Sequence, residues 1–153
     1  MLSLFRDRLE NGKPQVEPCP FFPPFHNCLY FIYLGQKQDS RVASGSTVSD
    51  LRMTILPELV SKISDLTGQF LAAQTLAEFD ELIRQHETLV ADALGLPMVK
   101  NLLFKDFWGG VKSLGAWGGD FVLATSDRPM EETRRYFNEK GFSVFLPYEE
   151  LIL

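Results

Sequence analysis

Lys112-Ser-Leu-Gly-Ala-Trp-Gly-Gly-Asp-Phe-Val-Leu-Ala124 is the stretch on which the fold of this chain turns. Lys112 to Leu114 and Phe121 to Thr125 read as two short strands, with Gly115, Gly118 and Gly119 between them. Three glycines in five residues exceed what a tight hairpin requires, because a two-residue turn needs only one or two residues at positive φ. The surplus lets another backbone, or a phosphate, approach closely. Consecutive amides in such a loop can also form an anion-binding nest. A bulged hairpin would carry a similar sequence, so the residues alone leave both readings open.

The flanking segments extend the pattern. Upstream, Cys28-Leu-Tyr-Phe-Ile-Tyr-Leu34 is an unbroken apolar and aromatic run ending at Gly35, which reads as a buried strand. A polar loop from Gln36 to Gly45 follows. Its Lys37, Asp39 and Arg41 give a strand-end loop of mixed charge, suited either to solvent or to a phosphate or carboxylate. A helix is expected to start near Ser46 to Asp50, with Leu51, Ile55, Leu59, Ile63, Leu66 and Phe70 on one face. Pro57 lies inside that pattern and predicts a kink or a break.

Thr75-Leu-Ala-Glu78 has the form of a capping box and opens a second helix. Leu76, Phe79, Ile83, Val90 and Leu94 form its apolar face, and Gly95 and Pro97 close it. A short helical piece is expected over Met98 to Lys105. Downstream of the glycine segment, Asp127-Arg-Pro129 reads as a cap and an N1 proline opening a helix to about Lys140. Gly141 ends that helix, and Phe142 to Leu146 reads as the last strand. The order strand, helices, strand, strand, helix, strand predicts an α+β fold: an antiparallel sheet of split βαβ, ferredoxin-like topology with helices packed on one face.

The chain divides into a lead-in, residues 1–27, and a domain, residues 28–153. In the lead-in, Pro14, Pro18, Pro20, Pro23 and Pro24 exclude a helix interior or a central strand, and a poorly structured linker or surface strap is expected. The whole comprises 153 residues, 45% of them hydrophobic and 23% charged, which fits one folded domain and excludes collagen-like or disordered chains. The net charge of −5, with no basic patch, argues against nucleic acid as a partner. The first residues contain no uninterrupted apolar core of a signal peptide, and there is no apolar run of transmembrane length, so no membrane association is expected. Cys19 and Cys28, the only cysteines, make neither a disulfide framework nor a zinc site, and a cytoplasmic location is expected.

Few residues carry a local catalytic signature. The pair His86-Glu87 stands out first, but His86 lies on or beside the apolar stripe of its helix and reads as a core or boundary residue, and His26 stands alone in the lead-in. HExxH, GxSxG and Cys–His signatures are absent from the sequence, so neither a catalytic residue nor a metal ligand is assigned.

The segment Ser-Leu-Gly-Ala-Trp-Gly-Gly-Asp-Phe-Val-Leu-Ala resembles the third motif of the GHMP small-molecule kinases, the family of galactokinase and of homoserine, mevalonate and phosphomevalonate kinases. That motif typically reads Lys-Leu-Thr/Ser-Gly-Ala-Gly-Gly-Gly-Gly before an apolar strand. Gly115, Ala116, Gly118 and Gly119 match it position by position, while Trp117 and Asp120 stand where the family usually has glycine. A bulky indole and a carboxylate there would narrow the loop and add negative charge. The strings YFIYLGQKQDSR and SLGAWGGDF together are similar to a mevalonate-kinase-like subgroup found among the Bacteroidetes. The resemblance covers residues 25–150 or so and implies the C-terminal domain of such an enzyme.

What the resemblance implies is a transfer of the ATP γ-phosphate, with Mg²⁺, to a small metabolite such as a mevalonate-like compound of isoprenoid biosynthesis. Gly115, Ala116, Trp117, Gly118, Gly119 and Asp120 would then shape the substrate and phosphate side of a cleft. Lys37, Arg41 and Lys112 are candidate contacts for an anionic substrate. The family's Pro-x-x-x-Gly-Leu-Gly-Ser-Ser-Ala-type phosphate loop, its substrate motif and its catalytic Asp are absent from these residues. Because phosphoryl transfer depends on positioning and charge neutralisation, this chain alone is expected to be inactive and to bind neither ATP nor Mg²⁺ tightly. An N-terminal kinase half, or self-association, would complete it. The other class that fits is a non-catalytic α+β module that binds a small ligand or a protein and uses the glycines structurally.

Overall fold

A computed structural model describes residues 2–10, 13–35, 56–115 and 119–152. The N-terminal residues differ from the expected lead-in. Leu2–Glu10 (β1) pairs antiparallel with Lys13–Cys19 (β2). Pro14 stands opposite Leu9 and Pro18 opposite Ser3. A two-stranded ribbon consists only of edges, so a proline without an amide donor can be accommodated there while remaining excluded from a central strand. After the ribbon Pro20 and Pro24 are exposed while Pro23 and Phe25 are buried, and a single 3₁₀ turn, His26–Cys28, leads into the sheet.

The main sheet has four strands, Leu29–Tyr33 (β3), Val111–Ser113 (β4), Phe121–Thr125 (β5) and Phe145–Pro147 (β6). Their spatial order is β4-β5-β3-β6, and every neighbouring pair is antiparallel. The first and third strands of the domain are thus central and the second and fourth are at the edges, which is the split βαβ order expected from the sequence. The helices are Leu56–Ala72 (α1), Leu76–Leu94 (α2), Val99–Leu103 (α3), Met130–Glu139 (α4) and Tyr148–Ile152 (α5).

Packing on both faces of the sheet departs from the expected single helical layer. Tyr30, Ile32 and Leu34 point into one core with Val122, Ala124, Val99, Phe104, Phe107 and Phe137. Leu29 and Phe31 point into another with Leu123, Leu66, Phe79, Leu82 and Ile83. So α1 and α2 cover one face while α3, the residues after it and α4 cover the other. The reason lies in β3 itself. Residues 29–34 are apolar without alternation, and adjacent strand residues face opposite ways, so a single helical layer would leave half of them in water.

Local signals hold at several helix ends. Thr75 and Glu78 form the reciprocal capping box, with the Glu78 amide donating to Thr75 Oγ1 at 3.2 Å and the Thr75 amide to Glu78 Oε2 at 3.1 Å. Gly95 caps α2 in the left-handed region at φ 64°. Pro57 is the second described residue of α1; residues 46–55, where that helix was expected to start, lie outside the described residues. At α4 the expectation shifts by two residues: Pro129 occupies the cap position without a side-chain bond, and Asp127 is not the cap. Glu131 and Glu132 in the first turn complement the helix dipole instead.

Candidate functional site

The glycine segment emerges at one end of the sheet. Tyr33 pairs with Phe121, and one residue further on the Leu34 amide donates to the Asp120 carbonyl at 2.7 Å. Across the other side, the Leu114 amide donates to Phe121 O at 3.1 Å. Gly35, the residue before Gln36, and Gly119, the last of the three glycines, therefore leave the sheet side by side. Sequence positions more than 80 residues apart meet there. Gly115 has φ 71°, a conformation that favours glycine, and it is exposed. Ala116, Trp117 and Gly118, like Lys37 and Arg41, lie outside the described residues.

Phe31, Leu114, Gly115, Gly119, Asp120, Phe121 and Leu151 line a concavity of about 440 Å³ at this end. Among the described residues, Asp120 supplies its only charged group. One of its carboxylate oxygens, Oδ1, is shielded from solvent and has no hydrogen-bond partner among the described residues. The described loop residues therefore do not by themselves fit ATP: their one charge repels phosphate.

Lys112, the third candidate anion contact, turns toward α2. Its Nζ stands 3.9 Å from Glu87 Oε1 and donates to Ser113 O at 3.2 Å. Burial pushes the Lys112 ammonium below the usual lysine range, and the Glu87 carboxylate opposes that shift. His86 packs edge-on against Phe70, with ring centroids 6.2 Å apart, and its Nδ1 lies 3.6 Å from Glu87 Oε1. The boundary-residue reading of His86 agrees with this placement.

A larger concavity, about 560 Å³, opens between α2 and the segment Met98–Val111. Asp80, Ile83, Arg84 and Glu87 line it from α2, and Lys100, Trp108 and Gly110 from the opposite wall. Glu87 is only 2% exposed. Asp80 accepts a hydrogen bond from the Thr125 hydroxyl, which in turn accepts from the Gly110 amide at 2.7 Å. Burial raises the Asp80 carboxyl above the ordinary aspartate range, partly offset by that hydroxyl.

The glycine pair beside Trp108 is what permits this approach. A Cβ on Gly110 would lie 2.7 Å from Asp80 Oδ1, and one on Gly109 would lie 1.7 Å from the Thr125 carbonyl oxygen. Next to them, Ser126 Oγ accepts from Trp108 Nε1 at 2.8 Å and from the Arg128 amide at 3.1 Å, and the two hydroxyls of Ser126 and Thr133 are hydrogen-bonded at 2.8 Å. Arg128 stacks its guanidinium 4.0 Å from the Trp108 ring centroid.

Sequence reasoning noted Glu87 only as the neighbour of His86 and singled out none of Asp80, Gly109, Gly110, Trp108 or Ser126. For Glu87 a signal was available. The apolar stripe of α2 steps from Ile83 to Val90, and Glu87 occupies the intervening position on the same face. A carboxylate interrupting an apolar stripe marks a buried charge.

No protein-family model, curated protein or solved structure matches the chain. Among the described residues, no helix is long and apolar enough to cross a membrane.

Proposed function

We infer that this chain is the C-terminal sheet domain of a GHMP-type, mevalonate-kinase-like phosphotransferase, acting in the cytoplasm on a small metabolite. The observation that carries the reading is the Leu34–Asp120 hydrogen bond. YFIYLGQKQDSR and SLGAWGGDF, the two strings on which the family resemblance rests, leave the sheet next to each other. A loop of glycines and a loop bearing Lys37 and Arg41 that start from one sheet end can converge on one anionic substrate. Lys112 is already engaged with Glu87, so the anion contacts are assigned to Lys37 and Arg41.

ATP and Mg²⁺ belong, on this reading, to the complementary half. Among the described residues, the concavity beside the loop offers phosphate only the carboxylate of Asp120, and the sequence contains no phosphate cradle. The partner is accordingly a polypeptide carrying a Pro-x-x-x-Gly-Leu-Gly-Ser-Ser-Ala-type loop.

The test is reconstitution. The chain is co-expressed with a polypeptide of that type from the same genome, and ATP-dependent phosphorylation of mevalonate is followed. Turnover should require both halves, and Gly118→Val should lower it at least 100-fold. Robust turnover by the 153-residue chain alone, or an unaffected Gly118→Val enzyme, would overturn the reading.

A non-catalytic binding module is the second reading, and one observation favours it: the concavity beside α2 is larger than the one at the glycine loop and lies away from it. Failure of every reconstitution, together with ligand binding in that concavity, would decide for it.

A further inference from the structure

Asp80 is oriented by a short chain of hydrogen bonds. The Gly110 amide donates to Thr125 Oγ1 at 2.7 Å, and the Thr125 hydroxyl donates to Asp80 Oδ1. Thr125 is fully buried, and a Cβ on Gly110 would stand 2.7 Å from Asp80 Oδ1, so the chain closes only around a glycine. A hydroxyl carries a single proton, and among the described residues Asp80 Oδ1 is the acceptor that takes it. The two oxygens of Asp80 are therefore not equivalent. Oδ1 is committed to Thr125. Asp80 is half-buried on the wall of the concavity beside α2, and its Oδ2 is neither hydrogen-bonded nor closed from solvent among the described residues.

Lys100 lines the same concavity from the opposite wall. One of its ammonium protons goes to the Gly109 carbonyl at 2.5 Å, which leaves further donors on the same nitrogen. Its charge favours the ionised form of Asp80 against the effect of burial. The other charges are matched as well. Arg84 binds both oxygens of Glu81, at 2.8 and 2.5 Å, and Lys112 stands 3.9 Å from Glu87. A charged ligand would meet no missing counter-charge here. Ile83, Met98 and Val111 supply apolar wall.

We propose that this concavity binds a small neutral molecule bearing a secondary amide on an apolar ring or chain. The amide N–H would donate to Asp80 Oδ2, and the carbonyl would accept from Lys100 Nζ. The hydrocarbon part would lie along Ile83, Met98 and Val111. A volume of about 560 Å³ falls within the range of small-molecule sites. The proposal stands apart from the kinase assignment, because it involves neither the glycine loop nor a partner half.

Amide chemical shifts of the full chain, followed during titration at constant ionic strength, test it with five probes. Two are secondary amides, ε-caprolactam and N-methylpentanamide; the others are N,N-dimethylpentanamide, n-pentylammonium and pentanoate. At least one secondary amide should bind saturably, with perturbations centred on Ile83, Asn101 and Gly110. The dimethyl amide, which keeps the acceptor without the donor, and both ions should bind about tenfold more weakly. Asp80→Asn gives a sharper readout. Its side-chain oxygen must still accept from Thr125, so an NH₂ donor replaces Oδ2, and the advantage of the secondary over the dimethyl amide should disappear. Lack of saturable binding by both secondary amides, perturbations confined elsewhere, equal binding of either ion, or an advantage that survives Asp80→Asn would overturn the proposal. Should that variant not fold, Lys100→Met decides: secondary-amide binding about tenfold weaker supports the site, and unchanged binding overturns it.

Discussion

Leu34 and Asp120 are joined through their backbones, amide to carbonyl at 2.7 Å, while the Asp120 side chain keeps a shielded oxygen without a partner among the described residues. The backbone bond extends the β3–β5 pairing one step beyond Tyr33 and Phe121. Because the bond uses only main-chain atoms, the side chain can be changed without breaking it. Asp120→Asn removes an uncompensated charge and should raise unfolding stability by about 1 kcal/mol. Urea denaturation followed by circular dichroism measures this, and a loss of stability would mean that the carboxylate has a partner outside the described residues.

Gly110 sits where three elements converge. In Gly110→Ala the new methyl would meet Asp80 Oδ1 at 2.7 Å and Thr125 Oγ1 at 3.0 Å, on opposite sides of a hydrogen bond that joins α2 to β5. The expected cost is about 1–3 kcal/mol, as for overpacking in a dense interior. Gly109→Ala should cost more, because the obstacle is the Thr125 backbone at 1.7 Å rather than a side chain. Comparing the two midpoints in one denaturant series checks the order.

Ser126 is 1% exposed, and its hydroxyl accepts from Trp108 and the Arg128 amide and is hydrogen-bonded to the Thr133 hydroxyl. Ser126→Ala would strand the Trp108 and Arg128 donors and remove the hydroxyl partner of the buried Thr133. A loss of about 2–4 kcal/mol is expected. Trp108 fluorescence reports the same event locally, since its indole would lose its hydrogen bond.

Asp106 titrates unusually low. Hydrogen bonds from Lys140 and Tyr136 hold its carboxyl at about 2. A folded value below the unfolded one means that its contribution is complete above the ordinary aspartate range, about pH 3.9, and is lost as the pH falls from there toward 2. Asp106→Asn should therefore flatten the decline in stability over that interval and change little between pH 6 and 8 apart from a constant offset. Denaturation midpoints of both proteins from pH 7 to pH 2 measure the difference.

How far the sequence could be read depended on the range of the interaction concerned. The Thr75–Glu78 box, the Gly95 cap and the approximate bounds of β3, β4 and β5 follow from contacts within a few residues, and those were legible. The strand order was legible too, because the sequence of strands and helices leaves few ways to close an antiparallel sheet. The two-sided cover of β3 was written in the unbroken apolar run of residues 29–34, but the expected single helical layer passed over it. The prolines of residues 14–18 excluded a central strand correctly and concealed an edge ribbon, because a missing amide matters only where a neighbour would have used it.

The candidate site divides along the same line. Sequence alone determined that three glycines separate two strands and that an acidic chain with two isolated cysteines carries no local catalytic or zinc signature. The tertiary structure decided what those pieces meet. It set Gly35 beside Gly119, turned Lys112 toward Glu87, and brought Gly110 against Asp80 and Thr125. A motif is a pattern along the chain, whereas burial of a charge and the closeness of a contact depend on which distant segments the packed core presses together. That is why the glycine loop could be read from the residues, and why Glu87 in its concavity appeared only once the helices were in place.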